Sequence, residues 1–197
     1  MNSTTAHKIL VVSFITLIFG LLLFQRFETT PSFKVTVLHS EPAITESSEF
    51  SRGEFVETGS DEFVLLSLGP HKIALAQNSE IEIDRVYQDE QRITLHKGRI
   101  FTHASGETPL HIETVSTENI LQENSASLVR YDFLDTLHVI PLEGGTIQTK
   151  LKSSAETLLL PVPMSIHETD SQLSKLDVNL SAGDSLRFYQ WVADQLQ

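Results

Sequence analysis

The sequence predicts a mainly β fold, an antiparallel sandwich or roll of about ten to twelve short strands. Three observations carry this. From Gly53 onward, apolar runs of about four to six residues recur roughly every ten residues. Several of them alternate with period two, and Gly, Asn, Ser and Pro stand between them. Before residue 184 no stretch repeats its apolar residues at helical spacing. One transmembrane helix is expected before this fold and one short helix after it.

The first element is the apolar run Ile9 to Phe24, ILVVSFITLIFGLLLF. Its length, about 16 residues with Ala6 and Phe27 extending it at the interfaces, comes close to the ~20 that a bilayer core requires. The sequence Phe24-Gln25-Arg26-Phe27-Glu28 that follows lacks the small-residue cleavage pattern of a signal peptide. The run therefore reads as an uncleaved anchor over 9–26, with 1–8 as a short cytoplasmic tail. Lys8 and Arg26 flank it on opposite sides, so the positive-inside rule votes weakly. Every acidic residue lies after the run, and the expected topology is N-terminus inside, with the rest of the chain outside the cytoplasm.

Residues 27–52 are rich in Ser, Thr, Glu and Pro. They read as a flexible tether in which Lys34 to Leu38 can pair as an edge strand. The β domain is expected over 53–160. Phe63-Val64-Leu65-Leu66-Ser67-Leu68 runs to Gly69-Pro70, and Lys72-Ile73-Ala74-Leu75-Ala76 runs to Gln77-Asn78-Ser79. Glu80-Ile81-Glu82-Ile83-Asp84 alternates. Arg92 to His96 and Arg99 to His103 read as two strands with a turn at Lys97-Gly98. Leu110 to Thr114 reads as the return arm of a hairpin through Ser105 to Pro109, and Thr136 to Ile140 leads through Glu143-Gly144-Gly145 into Thr146 to Thr149. Residues 161–197 form a C-terminal extension, in which Asp184-Ser185 can cap a helix with Leu186, Tyr189 and Val192 on its apolar side and Phe188, Trp191 and Leu196 nearby. An exposed Trp and Phe would be a liability, so this helix is expected to dock on its own domain.

Composition narrows the possible functions. The chain has no Cys, which excludes disulfides, thiolate metal sites and a Cys nucleophile. A formal charge of −12 sets nucleic-acid binding aside, because phosphate recognition rests on clustered Lys and Arg. About 170 residues after the anchor suffice for one ordinary domain.

The order Gly53-Glu54-Phe55-Val56-Glu57-Thr58, Val64-Leu65-Leu66-Ser67-Leu68-Gly69, and Ile73-Ala74-Leu75 with Asn78-Ser79-Glu80-Ile81-Glu82-Ile83 resembles the opening of the FecR-type domain. Ile93 to Phe101, Pro109 to Thr114 and Val139 to Ile147 resemble its later elements. The likeness spans roughly residues 53–150, and its weight lies in the order of the elements, since each alone is degenerate. Gly69-Pro70-His71 departs from the family's Asp-Gly-Ser hairpin, and Ser125 to Val129 departs from its Gly-Thr-x-Phe strand. The resemblance implies an extracytoplasmic β domain that binds an envelope protein. Family regulators carry a cytoplasmic anti-sigma segment before the membrane helix; with eight residues before Ile9, that output is not expected here.

Catalytic and metal chemistry find little support. No H-x-H or H-E-x-x-H pattern occurs among the eight His. A hairpin turning about Glu107 would bring His103 opposite His111, with Glu113, Arg99 and Phe101 on the same solvent face and Ile100, Ala104, Leu110 and Ile112 on the core face. Such a pair could hold a weak divalent site, but polar cross-strand pairs are ordinary, so no metal, cofactor or catalytic residue is assigned. Ser60-Asp61, Ser153-Ser154 and Ser181 lack an activating setting, and Asp61-Glu62 and Asp89-Glu90 read as solvated turns. A non-enzymatic role is expected. Two readings remain: a FecR-like binding or sensory module, and a lipid-handling bridge of the lipopolysaccharide-transport jellyroll type. Sharp alternation in 80–84 and 99–114 favours the closed module, since a lipid carrier needs an open apolar interior.

Overall fold

Alternating strands pair so as to bury their apolar side, and here that rule builds two sheets that share one strand. The structure, a computed structural model, describes residues 34–42, 49–131, 134–142, 145–154, 156–180 and 183–196, all within the unit Phe33–Gln197. The expected span 9–26 and tail 1–8 lie outside the described residues. Among the described residues no helix is long and apolar enough to cross a membrane.

Among the described residues fifteen strands form: β1 (Val35–Glu41), β2 (Glu49–Phe50), β3 (Phe55–Glu57), β4 (Phe63–Leu68), β5 (His71–Leu75), β6 (Glu80–Val86), β7 (Gln91–His103), β8 (Leu110–Glu113), β9 (Thr117–Leu121), β10 (Ser125–Tyr131), β11 (Thr136–Pro141), β12 (Ile147–Leu151), β13 (Thr157–Leu160), β14 (Met164–His167) and β15 (Leu173–Lys175). One helix, α1 (Gly183–Leu196), follows. The first sheet runs β2-β1-β4-β5-β7-β10-β11-β14-β15 and the second β3-β6-β7-β8-β9-β12-β13. Every ladder is antiparallel except β7 with β8. The strand number exceeds the expected ten to twelve because the presumed tether supplies β1 and β2 and the C-terminal extension supplies β14 and β15. Val35 in β1 is fully buried and pairs with Leu68, so this part of 27–52 belongs to the sheet.

The largest departure from expectation is β7. Instead of two strands joined by a turn, Gln91–His103 is one strand whose first half pairs with β6 and whose second half pairs with β5 and β10. Gly98 sits at the bend with φ +88°, and a Cβ there would lie 2.5 Å from Ser79 Cα. Only glycine tolerates both the dihedral and the approach. The Ser79 hydroxyl takes over ladder bonding at the corner, accepting from Arg99 N (2.9 Å) and donating to Arg99 O (3.0 Å).

The two sheets enclose one core. Val64, Leu66, Leu68, Ile73, Leu75 and Leu128 of the first meet Ile81, Ile83, Ile93, Leu95, Ile112 and Ile147 of the second. The other side of the first sheet is covered as well: Phe63, Leu65, Ala74, Ala76 and Phe101 pack against Phe188 and Val192 of α1. The helix thus docks on its own domain, with a phase shift from expectation. Phe188 and Val192, one turn apart, are buried, whereas Leu186 is 37 % exposed.

Candidate interaction surfaces

His103 and His111 do not face each other. After His103 the chain does not fold back: Ser105 N donates to His71 Nδ1 (3.1 Å), Ser105 Oγ to Pro70 O (2.6 Å) and Thr108 Oγ1 to Gln88 O (2.9 Å). These bonds carry residues 104–109 from the first sheet across to the second, where β8 enters parallel to β7 with His111 beside Arg92. His103 lies opposite Ser125, whose hydroxyl is 2.9 Å from its Nδ1. His111 lies 2.9 Å from Glu118 Oε1, and Glu113 is held by Arg92 and Lys152. No cluster of three or more metal-ligating side chains occurs among the described residues. The core assignments do hold, since Ile100, Leu110 and Ile112 are fully buried and Ala104 nearly so.

Glu113, His111 and Arg92 belong to a lattice over the outer face of the second sheet. Arg92 is its hub, bonded to Glu113, to Glu90 (2.9 Å) and to Glu118 (3.2 Å). Lys152 reaches Glu113 (2.7 Å), Arg85 reaches Glu90 (2.6 Å), Lys97 reaches Glu80 (2.7 Å), and Thr94 donates to Asp84 (2.6 Å). Partial burial alone would raise the Glu118 pKa, but the His111 hydrogen bond and the charges of Arg92, His111 and Lys150 outweigh it and hold the carboxyl below its usual range. A shallow polar hollow of about 420 Å³ lies on this face, lined by Arg52, Glu82, Asp84, Arg92, Thr94 and Glu113 among others. Arg92 and Glu113 in it are paired with opposite charges, and Asp84 accepts from Thr94.

The outer face of the first sheet is the reverse. It is roofed by α1, and Arg99, expected in solvent, lies beneath the roof, with Nη1 donating to Ser185 Oγ (2.6 Å) and its guanidinium 5.9 Å from the centre of the Tyr189 ring. Tyr189 in turn donates to Ser127 Oγ (2.6 Å).

Sheet edges form a third surface. β13 pairs only with β12 among the described residues. Because Leu151 N bonds Glu156 O (2.8 Å), alternation of the antiparallel ladder turns the backbone groups of Thr157 and Leu159 outward, away from β12. The strand Thr157-Leu158-Leu159-Leu160 carries no charge, and Leu159 is 70 % exposed. The other edges carry charge: Glu57 on β3, Lys175 on β15, and Glu49 on β2, paired with Lys34.

The fold has a precedent among solved structures. The chain is folded like a candidate anti-sigma factor. Two crystal structures of that protein, from Parabacteroides distasonis ATCC 8503 at 1.65 and 2.50 Å resolution, each match with a TM-score of 0.54 and 13 % identity. The match covers 65 % of this chain and 61 % of the other, so it spans less than two thirds of that protein. No protein-family model matches the chain, and neither does any curated protein. At this identity the likeness is one of fold.

Sequence reasoning missed Arg92 as a hub and Arg99 as a covered cation. Arg92 was legible in part: it opens an alternating strand flanked by acidic ones, but the pairing of β7 with β8 that brings Glu113 beside it was not. Nothing near Arg99 in the chain signals a helix that arrives 86 residues later.

Proposed function

We propose that this protein is a membrane-anchored extracytoplasmic binding module of the FecR type, whose docking strand for another envelope protein is the β13 edge. The likeness of fold to a candidate anti-sigma factor carries the reading, and the sequence resemblance over residues 53–150 and the apolar run 9–24 support it. The space between the sheets is filled by side chains such as Leu66, Ile73, Ile93 and Ile112, which suits a closed module better than a lipid carrier. The partner segment that fits β13 is an extended, uncharged stretch. Its backbone would pair with Thr157 and Leu159, and an apolar side chain would lie beside Leu159.

The absence of cysteine makes the test direct. Single-cysteine variants at Ser60 and Ser154 are expected to react with a membrane-impermeant maleimide in intact spheroplasts, and protection until lysis would sink the topology. A photocrosslinking residue at Leu159 is expected to capture one envelope protein, with the same residue at Phe55 on the opposite edge of that sheet as control. Equal capture at both positions would remove β13 as the docking strand.

A further inference from the structure

The two flanks of the roll end differently. On one flank the second sheet ends in β3, whose core-side residue Val56, opposite Ile81, is 3 % exposed. On the other flank the second sheet ends in β13 and the first in β15. The two margins lie together, because β13 passes to β14 through only Pro161-Val162-Pro163. Here the core is not closed. Directly opposite residues of an antiparallel ladder share a face, so Leu158 and Leu160, opposite Thr149 and Ile147, point inward, and so does Leu173, opposite Ile166. Leu160 is buried, but Leu158 is only partly covered and Leu173 is 38 % exposed.

The size of this apolar margin selects the kind of partner. Its large exposed or half-covered side chains are Leu158, Leu159, Val162 and Leu173. A stable interface between two folded surfaces, a symmetric dimer of this chain included, buries roughly 800 Å² on each partner. Four side chains, three of them already part-covered, fall well short of that. A single extended segment needs less, since its main chain bonds to the outward backbone groups of Thr157 and Leu159 and supplies affinity that side-chain area does not. Such a strand is pleated like any other, and its successive side chains point to opposite faces. One set lies beside Leu159 on the outer face. The other set points into the mouth between the sheets, beside Leu158 and toward the margin that carries Leu173.

We infer that the partner of β13 is one extended segment of another protein with at least three consecutive apolar residues, gripped on both faces: one face by Leu159, the other by Leu158 and Leu173 at the mouth of the core. An alternating segment, apolar on one face only, would leave either Leu159 or the mouth facing a polar side chain. The required pattern is that of this chain's own β4, Phe-Val-Leu-Leu-Ser-Leu, a strand buried on both sides. The inference rests on the reading of β13 as the docking strand and specifies what docks there.

The test is NMR of the leucine methyl signals in the full chain held in detergent micelles. Two synthetic peptides with lysine ends are titrated: one has a Val-Val-Val-Val centre, the other Val-Thr-Val-Thr, in which near-isosteric threonines make one face polar. Affinities are read from the saturation of the Leu159 and Leu173 signals, with the peptide taken up by empty micelles subtracted. The continuous peptide should shift both signals and bind about tenfold more tightly than the alternating one. Leu173→Lys should erase this advantage, because β15 takes no part in the ladder that β13 offers and feels only inward side chains of the partner. Leu173→Thr, which keeps a strand-forming residue and guards against a folding defect in the first variant, should reduce the advantage with the urea midpoint unchanged. Equal affinity of the two peptides, both lost in Leu159→Lys, would keep β13 as the docking strand and overturn the two-faced partner. Failure of both peptides to bind, or binding that survives Leu159→Lys, would overturn both readings. A dimer in sedimentation that Leu159→Lys dissolves would make the occupant a second copy of this chain and overturn the inference as well.

Discussion

The two outer faces of this roll solve the same problem in opposite ways. A sheet that buries one side must do something with the other. The first sheet covers it with an apolar helix, so β4 reads Phe-Val-Leu-Leu-Ser-Leu and is buried on both sides. The second sheet leaves it open and fills it with paired charges, so β6 reads Glu-Ile-Glu-Ile-Asp-Arg-Val with alternate residues buried. A continuous apolar run in a strand therefore signals a covering layer, and alternation signals a face that meets water. The covered face draws its stability from packing, and the open face from electrostatics that salt and pH can reach.

The strongest way to break this contrast is to remove the roof. Phe188 is fully buried, with its ring centre 5.6 Å from that of Phe63, which also contacts Trp191 at 5.5 Å. Phe188→Ala should cost about 3–5 kcal/mol. Urea unfolding is expected to give the same loss at low and high salt, and a salt-dependent loss would contradict packing as the source.

Next in size is acid, which separates interior from surface. His71 is fully buried, and burial, with the charge of His103 adding to it, lowers its pKa from 6.5 to about 4. The unfolded chain takes up this proton near 6.5 and the folded chain only near 4, so the unfolded state binds more protons in that window. Stability should thus be intact above pH 6.5 and fall by about 3 kcal/mol as pH drops to 4. Protonation also removes the acceptor for Ser105 N, so the 104–109 connection should loosen. His71→Asn should flatten the curve in this window. Glu118, whose pKa is depressed, acts in the other region: its contribution is present above the ordinary carboxylate range and disappears as pH falls through its lowered value. A pH titration of urea midpoints should show the two losses in that order, and a single loss confined to the carboxylate range would refute the role of His71.

How much of this was legible follows from how local each cause is. The alternation of 80–84 and the apolar run of 63–68 are properties of adjacent residues, and both became the strands expected. The terminal helix was readable from its composition, but its phase was not, because Phe188 rather than Leu186 is selected by the surface of Phe63, Leu65 and Phe101. The supposed 99–114 hairpin failed for a similar reason. Ser105-Gly106-Glu107-Thr108-Pro109 has turn chemistry that serves a hairpin or a crossover equally, and the choice is made by His71, Pro70 and Gln88, far away in sequence. Gly98 gave a true signal, a required positive φ, but a bend and a turn both satisfy it. The histidine pair fell with the hairpin, and Arg99 was hidden by the helix.

A smaller effect is expected from the open face. Replacing Arg92 with Met leaves Glu113, Glu118 and Glu90 short of their shared cation at a site where the arginine side chain is 22 % exposed, and should cost about 1–3 kcal/mol. Unlike the loss at Phe188, this one should shrink in high salt, because partly exposed charges are screened. The exposed Lys97–Glu80 pair, cut by Lys97→Gln, should cost about 0.5 kcal/mol or less. Equal losses at Arg92 and Lys97 would mean that the lattice does not act through its hub.

The smallest effect on stability is expected at the β13 edge, and there the smallness is informative. Leu159 points outward from the last strand of the second sheet, beside Gln148 and away from the core. Leu159→Lys should change unfolding free energy by no more than about 0.5 kcal/mol, since no packing partner is lost and a charge on an edge is the usual guard against unwanted pairing. An edge that costs the fold nothing to charge, yet carries no charge, leaves room for a reason outside the fold. If that reason is a docked partner strand, Leu159→Lys should abolish capture of the envelope protein by a crosslinker placed at Thr157 while leaving the urea midpoint in place. Capture that survives Leu159→Lys would move the partner to another surface, and a large fall in stability would show instead that Leu159 belongs to the packing of its own sheet.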